Sequence, residues 1–470
     1  MQQILKLPNN FNLRSKQFIF IVLSLLCANT ILPQKLIVGY YPHWLKSSLP
    51  TSKIQFQNLT HIIHAFAWPT ASGEIEYYNG MLDVNLNDKV HEANKKILIA
   101  FGGAGLSDGF GTMVTDSLSR TKFVSNVYEF LTKNNYDGID LDWEFPANEI
   151  ETKGLTQLIK DLRKTFDLHN PSLLISMAIP ASDWFGKHFE YEKIIDFVDW
   201  FAMMGYDISG SWFSFAGHNA PLFKGQNDWS WNDGYNYLHS TRSIPNKKLL
   251  LGMPFYGKEF NAAGLYQSQS GNVLDLRYNE VEEKINGGNW EYFWDAETKV
   301  PYLLNSERTK FITFDDTNSV KEKVEYALEK NVAGVMIWAL GQDVINNSQP
   351  LLETIGRTIH SILSVKNFPD KLPPVITLYN NYPNPFNPTT IIQYTINTSS
   401  HLRKGRIEEG FVILKVYDIL GREVSTLVNK KQFPGTYQII FDATNLSSGV
   451  YYYQLKYGKS IINKKMILLR

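Results

Sequence analysis

Between Leu36 and about Leu363, short β-branched or aromatic runs alternate with amphipathic helical stretches. That alternation restricts the chain to a parallel sheet covered by helices. Eight strand candidates are legible: Leu36–Tyr41, His61–Ala67, Lys96–Phe101, Gly138–Trp143, Leu174–Ile179, Trp200–Tyr206, Leu249–Phe255 and Val335–Ala339. Eight such units in roughly 330 residues fit an α/β fold of the (β/α)8 TIM-barrel type, whose functional side chains gather at the C-terminal ends of the strands. A doubly wound open sheet is the alternative, but no Gly-rich phosphate loop follows the first strand. The interval between the seventh and eighth strands is the longest. Its aromatic stretches, Trp290–Trp294 and Val300–Leu304, point to a small α+β insertion at about 258–310.

The barrel is flanked on both sides. Arg14 and Lys16 precede an apolar run from Phe18 to Leu26, too short to span a bilayer, which predicts a signal peptide over 1–33 and no stable membrane span. Cys27 could serve as a lipid acceptor, but Leu26 stands where a small residue is wanted, which favours plain secretion. The barrel is expected to occupy 34–363. A Pro-containing linker follows at 364–376, where VKNFPDKLPP loses hydrophobic periodicity. Beyond it, Ile391–Ile396, Val412–Tyr417, Tyr437–Phe441, Val450–Leu455 and Lys464–Leu469 alternate as strands, predicting an all-β sandwich over 377–470.

Charge and cysteine content narrow the chemistry. Lys plus Arg (46) equals Asp plus Glu (46), so no global field favours nucleic acid or an anionic membrane as partner. Cys27 is the single cysteine, so a processed chain has no disulfide framework, thiolate zinc site or cysteine nucleophile. No HExxH, Ser-elbow or Walker motif occurs. His61 and His64, three apart on a strand, point to opposite faces and are poorly placed to share a metal. No cofactor or metal is expected.

Chemistry concentrates in Asp137-Gly138-Ile139-Asp140-Leu141-Asp142-Trp143-Glu144. On a strand, Asp140, Asp142 and Glu144 project to one face and Ile139, Leu141 and Trp143 to the other. In a barrel the acidic row points inward. Carboxylates about 7 Å apart per step repel one another unless protons or hydrogen bonds are shared. With Asp142 ionised nearby and apolar walls around it, Glu144 should keep a proton near neutral pH and be able to protonate a leaving oxygen. A solvated acidic edge or a Mg²⁺ or Ca²⁺ site would use the same oxygens, but neither accounts for the apolar interleaving.

This run resembles the DxxDxDxE signature of glycoside hydrolase family 18, the chitinases and their relatives. The likeness continues along the barrel in LIVGYYPHW (Leu36–Trp44), HIIHAFA (His61–Ala67), AFGG (Ala100–Gly103), Met204-Gly205-Tyr206-Asp207, GMPFYG (Gly252–Gly257), GVMIWAL (Gly334–Leu340) and Phe314-Asp315-Asp316 with Ser319. Asp142 lies beside Glu144 on one strand face and so is poorly placed to attack the opposite side of the same carbon. The resemblance implies that the substrate's own N-acetyl oxygen attacks instead, with net retention. It further implies Glu144 as general acid and then base, Asp142 orienting the acetamido N–H, and Asp140 sharing charge behind it. Tyr206 would donate to the acetamido carbonyl, Asp207 and Met204 would shape that pocket, and Trp338 would form the floor under the reacting sugar. Tyr40, Phe66 and Tyr256 would add aromatic lining. The sequence departs from the family pattern at Ala100, at Ala104 (where many relatives carry a stacking tryptophan), at Gly205 and at Lys258.

Leu378–Ile396, Val416–Val424, Gly435-Thr436-Tyr437, Ser448–Tyr451 and Lys464-Lys465-Met466 resemble the type A sorting domain of type IX secretion. A carbohydrate-binding sandwich is the other reading; the run Tyr382–Pro388 (YPNPFNP) favours sorting. The expectation is therefore a secreted or surface-attached glycosidase acting on chitin or a related N-acetylglucosamine glycan, exported by type IX machinery. An endo-β-N-acetylglucosaminidase acting on N-glycans and a non-hydrolytic chitin-binding lectin are the alternatives.

Overall fold

The computed structural model describes residues 34–226, 229–366, 376–396, 402–403, 406–407, 410–458 and 460–470. The expected signal peptide and most of the expected linker lie outside them. Eight strands form the barrel: β1 (Leu36–Pro42), β2 (His61–Pro69), β3 (Lys96–Gly102), β4 (Gly138–Asp142), β5 (Leu174–Pro180), β6 (Trp200–Met204), β7 (Leu249–Pro254) and β8 (Gly334–Trp338). Each pairs in parallel with its sequence neighbour, and β1 pairs with both β2 and β8, so the sheet closes. β4 and β6 stop at Asp142 and Met204, so Trp143, Glu144, Tyr206 and Asp207 stand on the loops just beyond their strands.

Alternation sorts the side chains. Val38, Tyr40, Ile63, Ala65, Leu98, Ala100, Trp200, Ala202, Leu250 and Met336 share one buried cluster, while Ile62, Ile97 and Ile139 at the intervening positions are also buried, against the other face. The register aligns Ala100 with Asp140, Asp140 with Ser176 and Ser176 with Trp200. One layer of an otherwise apolar interior therefore carries a carboxylate beside a hydroxyl. After β4 the chain enters the long helix Glu149–His169, whose N-cap Asn148 accepts from the backbone N–H groups of Ile150 and Glu151.

Between β7 and β8 lies a five-stranded antiparallel sheet in the spatial order Gln269–Arg277, Tyr256–Ala262, Phe311–Thr313, Val300–Asn305, Trp290–Asp295, with a helix at Tyr278–Asn286. It extends beyond 258–310 at both ends. Only Phe255 separates β7 from the first strand of the insertion, with no turn residue to mark the junction, and Phe311–Thr313 pairs back onto that strand.

A second unit begins at Leu363. The helix Pro350–Lys366 runs into the start of the expected linker. A three-stranded sheet (Ile376–Leu378, Thr389–Ile396, Gly435–Asp442) and a four-stranded sheet (Glu423–Gln432, Gly410–Tyr417, Gly449–Tyr457, Ser460–Leu468) enclose one core containing Ile392, Tyr394, Phe441, Leu414, Tyr453 and Met466. Ile376–Leu378 and Glu423–Gln432 were not expected as strands. The latter lies at a sheet edge and buries only Val428 and Gln432, so its apolar alternation is faint. Among the described residues no helix is long and apolar enough to cross a membrane.

Candidate active site

The acidic row reaches the barrel mouth from below. At its start, Asp137 accepts from Lys96 Nζ (2.6 Å), His91 Nε2 (2.8 Å) and the Ile97 N–H (2.8 Å), so the first acid of the run braces β3 against β4 rather than joining the others. Asp140 is fully buried, accepting from Tyr40 Oη and from Ser176 Oγ at 2.6 Å each. Burial raises its carboxyl to about 6, with both donors opposing the rise. Above it, Asp142 is also buried, and its Oδ1 has no hydrogen-bond partner. Burial, then the charges of Glu144 and Asp140, push this carboxyl well above the carboxylate range.

Glu144 is raised to about 7, first by burial and then by the negative charge of Asp207, while the Ala104 N–H opposes the rise. Asp207 is thus a second acid bearing on Glu144, one that strand alternation does not reveal. The β4 exit is held rigidly. The Gly103 N–H donates to the Asp142 carbonyl at 2.6 Å, and the Glu144 N–H donates to Ser107 Oγ at 3.1 Å. Gly102, at φ +109°, would place a Cβ 2.2 Å from the Asp142 carbonyl oxygen, so only glycine permits this approach.

Around the row stand the aromatic groups. Trp338 lies 5.5 Å from Tyr40 and 5.7 Å from Phe66, ring centre to ring centre. Trp44, read from sequence only as the end of the first-strand motif, packs 6.3 Å from Phe66 and 6.4 Å from Trp338 and is 45% exposed. Met204 and Tyr206 pack on the same cluster. Tyr206 lies 6.0 Å from Tyr256, and burial and the surrounding carboxylates push its hydroxyl well above its usual range, keeping it a donor. Asp207 accepts from Tyr256 Oη (2.6 Å) and pairs with the buried Lys258 (2.9 Å), which also bonds Asp275 (2.7 Å). Lys258 thus supplies one cation to two acids. The ten expected site residues form one connected group, running from Asp140 and Tyr40 inside the barrel to Glu144, Tyr256 and Asp207 beyond the strand ends.

Sequence reasoning missed Ser176, a small polar residue on an apolar strand whose meaning appears only through its register with Asp140. His61 and His64 bond Thr60 and Tyr136 respectively and take no part. Among the described residues no group of His, Cys, Asp and Glu side chains could hold a metal ion.

Residues 36–343 match the model of glycosyl hydrolases family 18, and residues 380–469 match that of the secretion system C-terminal sorting domain. Probable chitinase 2 of Drosophila melanogaster is 30% identical over 66% of this chain and 73% of its own length. Chitinase A1 of Niallia circulans is 28% identical over 65% of this chain, and the match spans 56% of that longer protein. Among solved structures, the Group IV chitinase of Ostrinia furnacalis in complex with allosamidin aligns with a TM-score of 0.66 at 26% identity, covering 70% of this chain and 99% of that one.

Proposed function

The chain belongs to glycosyl hydrolase family 18, and on that footing we propose that it hydrolyses β-1,4-linked N-acetylglucosamine polymers, chitin and its oligosaccharides, by retaining, substrate-assisted chemistry after export from the cell. The observation that carries this reading is the arrangement of Asp140, Asp142 and Glu144 along the β4 exit, with the half-buried carboxyl of Glu144 uppermost and an unpartnered, buried carboxyl oxygen of Asp142 beneath it. Glu144 protonates the glycosidic oxygen. Asp142 Oδ1, short of a partner in the free chain, takes the acetamido N–H and turns the acetamido oxygen towards the anomeric carbon. As positive charge develops on that ring, the carboxyls below stabilise it, and Tyr206 donates to the acetamido oxygen. Trp338 offers its face to the reacting sugar. The cyclic intermediate forms as the leaving sugar departs, and Glu144, now ionised, activates the water that opens it.

Two measurements test this reading. The product anomer from chitohexaose, followed early by NMR, is expected to be β; an α product would overturn substrate-assisted retention. Glu144→Gln is expected to lower kcat by about 10²–10⁴-fold while keeping oligosaccharide binding, the range that general acid catalysis typically supplies. Undiminished hydrolysis would reject the assignment. A high-mannose glycoprotein cleaved in preference to chitin oligomers would redirect the substrate to N-glycans.

The C-terminal module is proposed as the address for type IX export, giving a secreted or surface-attached enzyme. Its match to the sorting-domain model supports this. Within the run Tyr382–Pro388, Phe386 is buried in the sandwich core and Asn384 Oδ1 accepts from the Ile467 N–H at 2.9 Å, while Tyr382 is 79% exposed.

A further inference from the structure

The equality of charge over the whole chain conceals an uneven distribution. Residues 376–470 carry twelve Lys and Arg against five Asp and Glu. Two of those acids, Asp418 and Glu423, are engaged by Arg422 and Lys415 at 2.7 Å each, at the end of the four-stranded sheet where Tyr417 pairs with Glu423. Asp442 lies on the three-stranded sheet, and Glu408 and Glu409 fall outside the described residues. At the opposite end of the four-stranded sheet Lys430, Lys431 and Lys456 are exposed, and among the described residues no ion pair engages them.

Strand alternation sets two of these lysines among apolar side chains. Val412, Leu414, Val428 and Leu455 point into the sandwich core, so the outer face carries Phe411 opposite Lys431, and Ile413, Lys456 and Ile461 in one row across three strands. Phe411 is 51% exposed and Ile461 52%. Lysine on an edge strand guards against unwanted pairing, which accounts for Lys430 and Lys431. It does not account for Lys456, which stands on an inner strand, or for the apolar groups left in water between the charges. Protein interfaces are depleted in lysine, and a hydrated polyanion has no use for isoleucine. A bilayer surface suits both kinds of group: apolar side chains enter the acyl boundary, while lysine stems lie along it and their ammonium groups reach the lipid phosphates.

We propose that this end of the outer sheet face is a docking surface for an anionic phospholipid bilayer, with Phe411 and Ile461 entering the interface and Lys431 and Lys456 meeting the phosphates. The proposal is independent of the glycosidase reading, and it makes the attachment reversible and sensitive to salt.

The test is co-sedimentation of the purified full chain with vesicles of phosphatidylcholine containing about 30% phosphatidylglycerol, beside vesicles of phosphatidylcholine alone. Binding to the anionic vesicles is expected to exceed binding to the neutral ones by at least about tenfold, and to fall by at least about tenfold on raising NaCl to about 0.5 M, a measurement that needs no variant. Lys431→Gln combined with Lys456→Gln is expected to weaken anionic binding about tenfold or more, with chitohexaose turnover unchanged. Phe411→Ser combined with Ile461→Ser is expected to weaken it by a similar factor and to keep the steepness of the salt dependence. Undiminished binding by that apolar pair variant would make the face a polyanion surface and overturn the lipid assignment. Absence of vesicle binding by the wild-type chain would overturn it as well; were the lysine variant then to stall in export, the face would belong to a protein partner instead.

Discussion

At the scale of single residues, the site runs against the rule that buried acids are costly. Glu144 ionises at about 7 when folded, well above the ordinary carboxylate range, because burial and Asp207 favour its protonated form. Activity that needs this proton is present below that value and lost as pH rises through it, so kcat/KM should show a basic limb near pH 7. Asp207→Asn removes a negative neighbour and should move that limb to lower pH; a limb that stays put would show that Asp207 does not tune the acid. The same shift has a cost in stability. A folded-state pKa raised above the unfolded one carries no penalty in acid, a growing one through the interval between the two values, and the full penalty above about pH 7, of the order of 3 kcal/mol at most. Glu144→Gln should therefore raise Tm at pH 8 and leave it unchanged at pH 4, the reverse of what a purely structural glutamate would give. Calorimetry at the two pH values decides it.

At the scale of elements, the departure at Gly205 finds its physical reason in a helix that follows it. Trp231 opens the short helix Trp231–Asn236, is fully buried, and donates its indole N–H to the Gly205 carbonyl at 2.8 Å. A Cβ on Gly205 would sit 2.3 Å from that indole nitrogen and 2.6 Å from the Gly252 carbonyl oxygen. Beneath the indole, at 5.4 Å, lies Lys323, which donates to both oxygens of Asp315 in a wholly buried pair. The backbone that presents Tyr206 is thus held by a tryptophan, which rests in turn on an ion pair. Gly205→Ala should cost about 1–3 kcal/mol through overpacking. Adding Trp231→Leu should recover part of it, with the Gly252 carbonyl retaining the rest, so a denaturation double-mutant cycle should return a coupling of about 0.5–3 kcal/mol. Additive losses would mean that the two positions act independently. The acid row is legible in the sequence because strand alternation has a fixed period of two, which places Asp140 and Asp142 on one face and leaves Glu144 just past the strand's C-terminal end. Trp231, Ser176 and the role of Lys258 are not legible, since each acts through a neighbour remote in sequence that only closure of the barrel supplies. The insertion's limits escape for a related reason: strand follows strand across Phe255 without the turn residues by which boundaries are read.

At the scale of the whole molecule, the chain divides into two units, each with its own apolar core, split at Leu363. The barrel's acids, aromatics and capped helices all precede the split, while Tyr394, Phe441 and Tyr453 centre a core composed of residues beyond it. In the sandwich, Asn381 donates through Nδ2 to the Pro383 carbonyl and to Thr390 Oγ1, and its N–H donates to Tyr453 Oη, so the asparagine- and proline-rich run is braced by its own module. A chain ending at Lys366 retains the last barrel helix whole and loses none of the site residues. Purified, it should hydrolyse chitohexaose with kcat/KM within about twofold of the full chain, since distant, independent parts contribute additively. In the cell it should accumulate inside the outer membrane while the full chain crosses it. Two different failures would carry different meanings. Export of the truncated chain would remove the sorting role from the C-terminal module, whereas normal retention with a large loss of turnover on insoluble chitin but not on chitohexaose would make that module a carbohydrate-binding one.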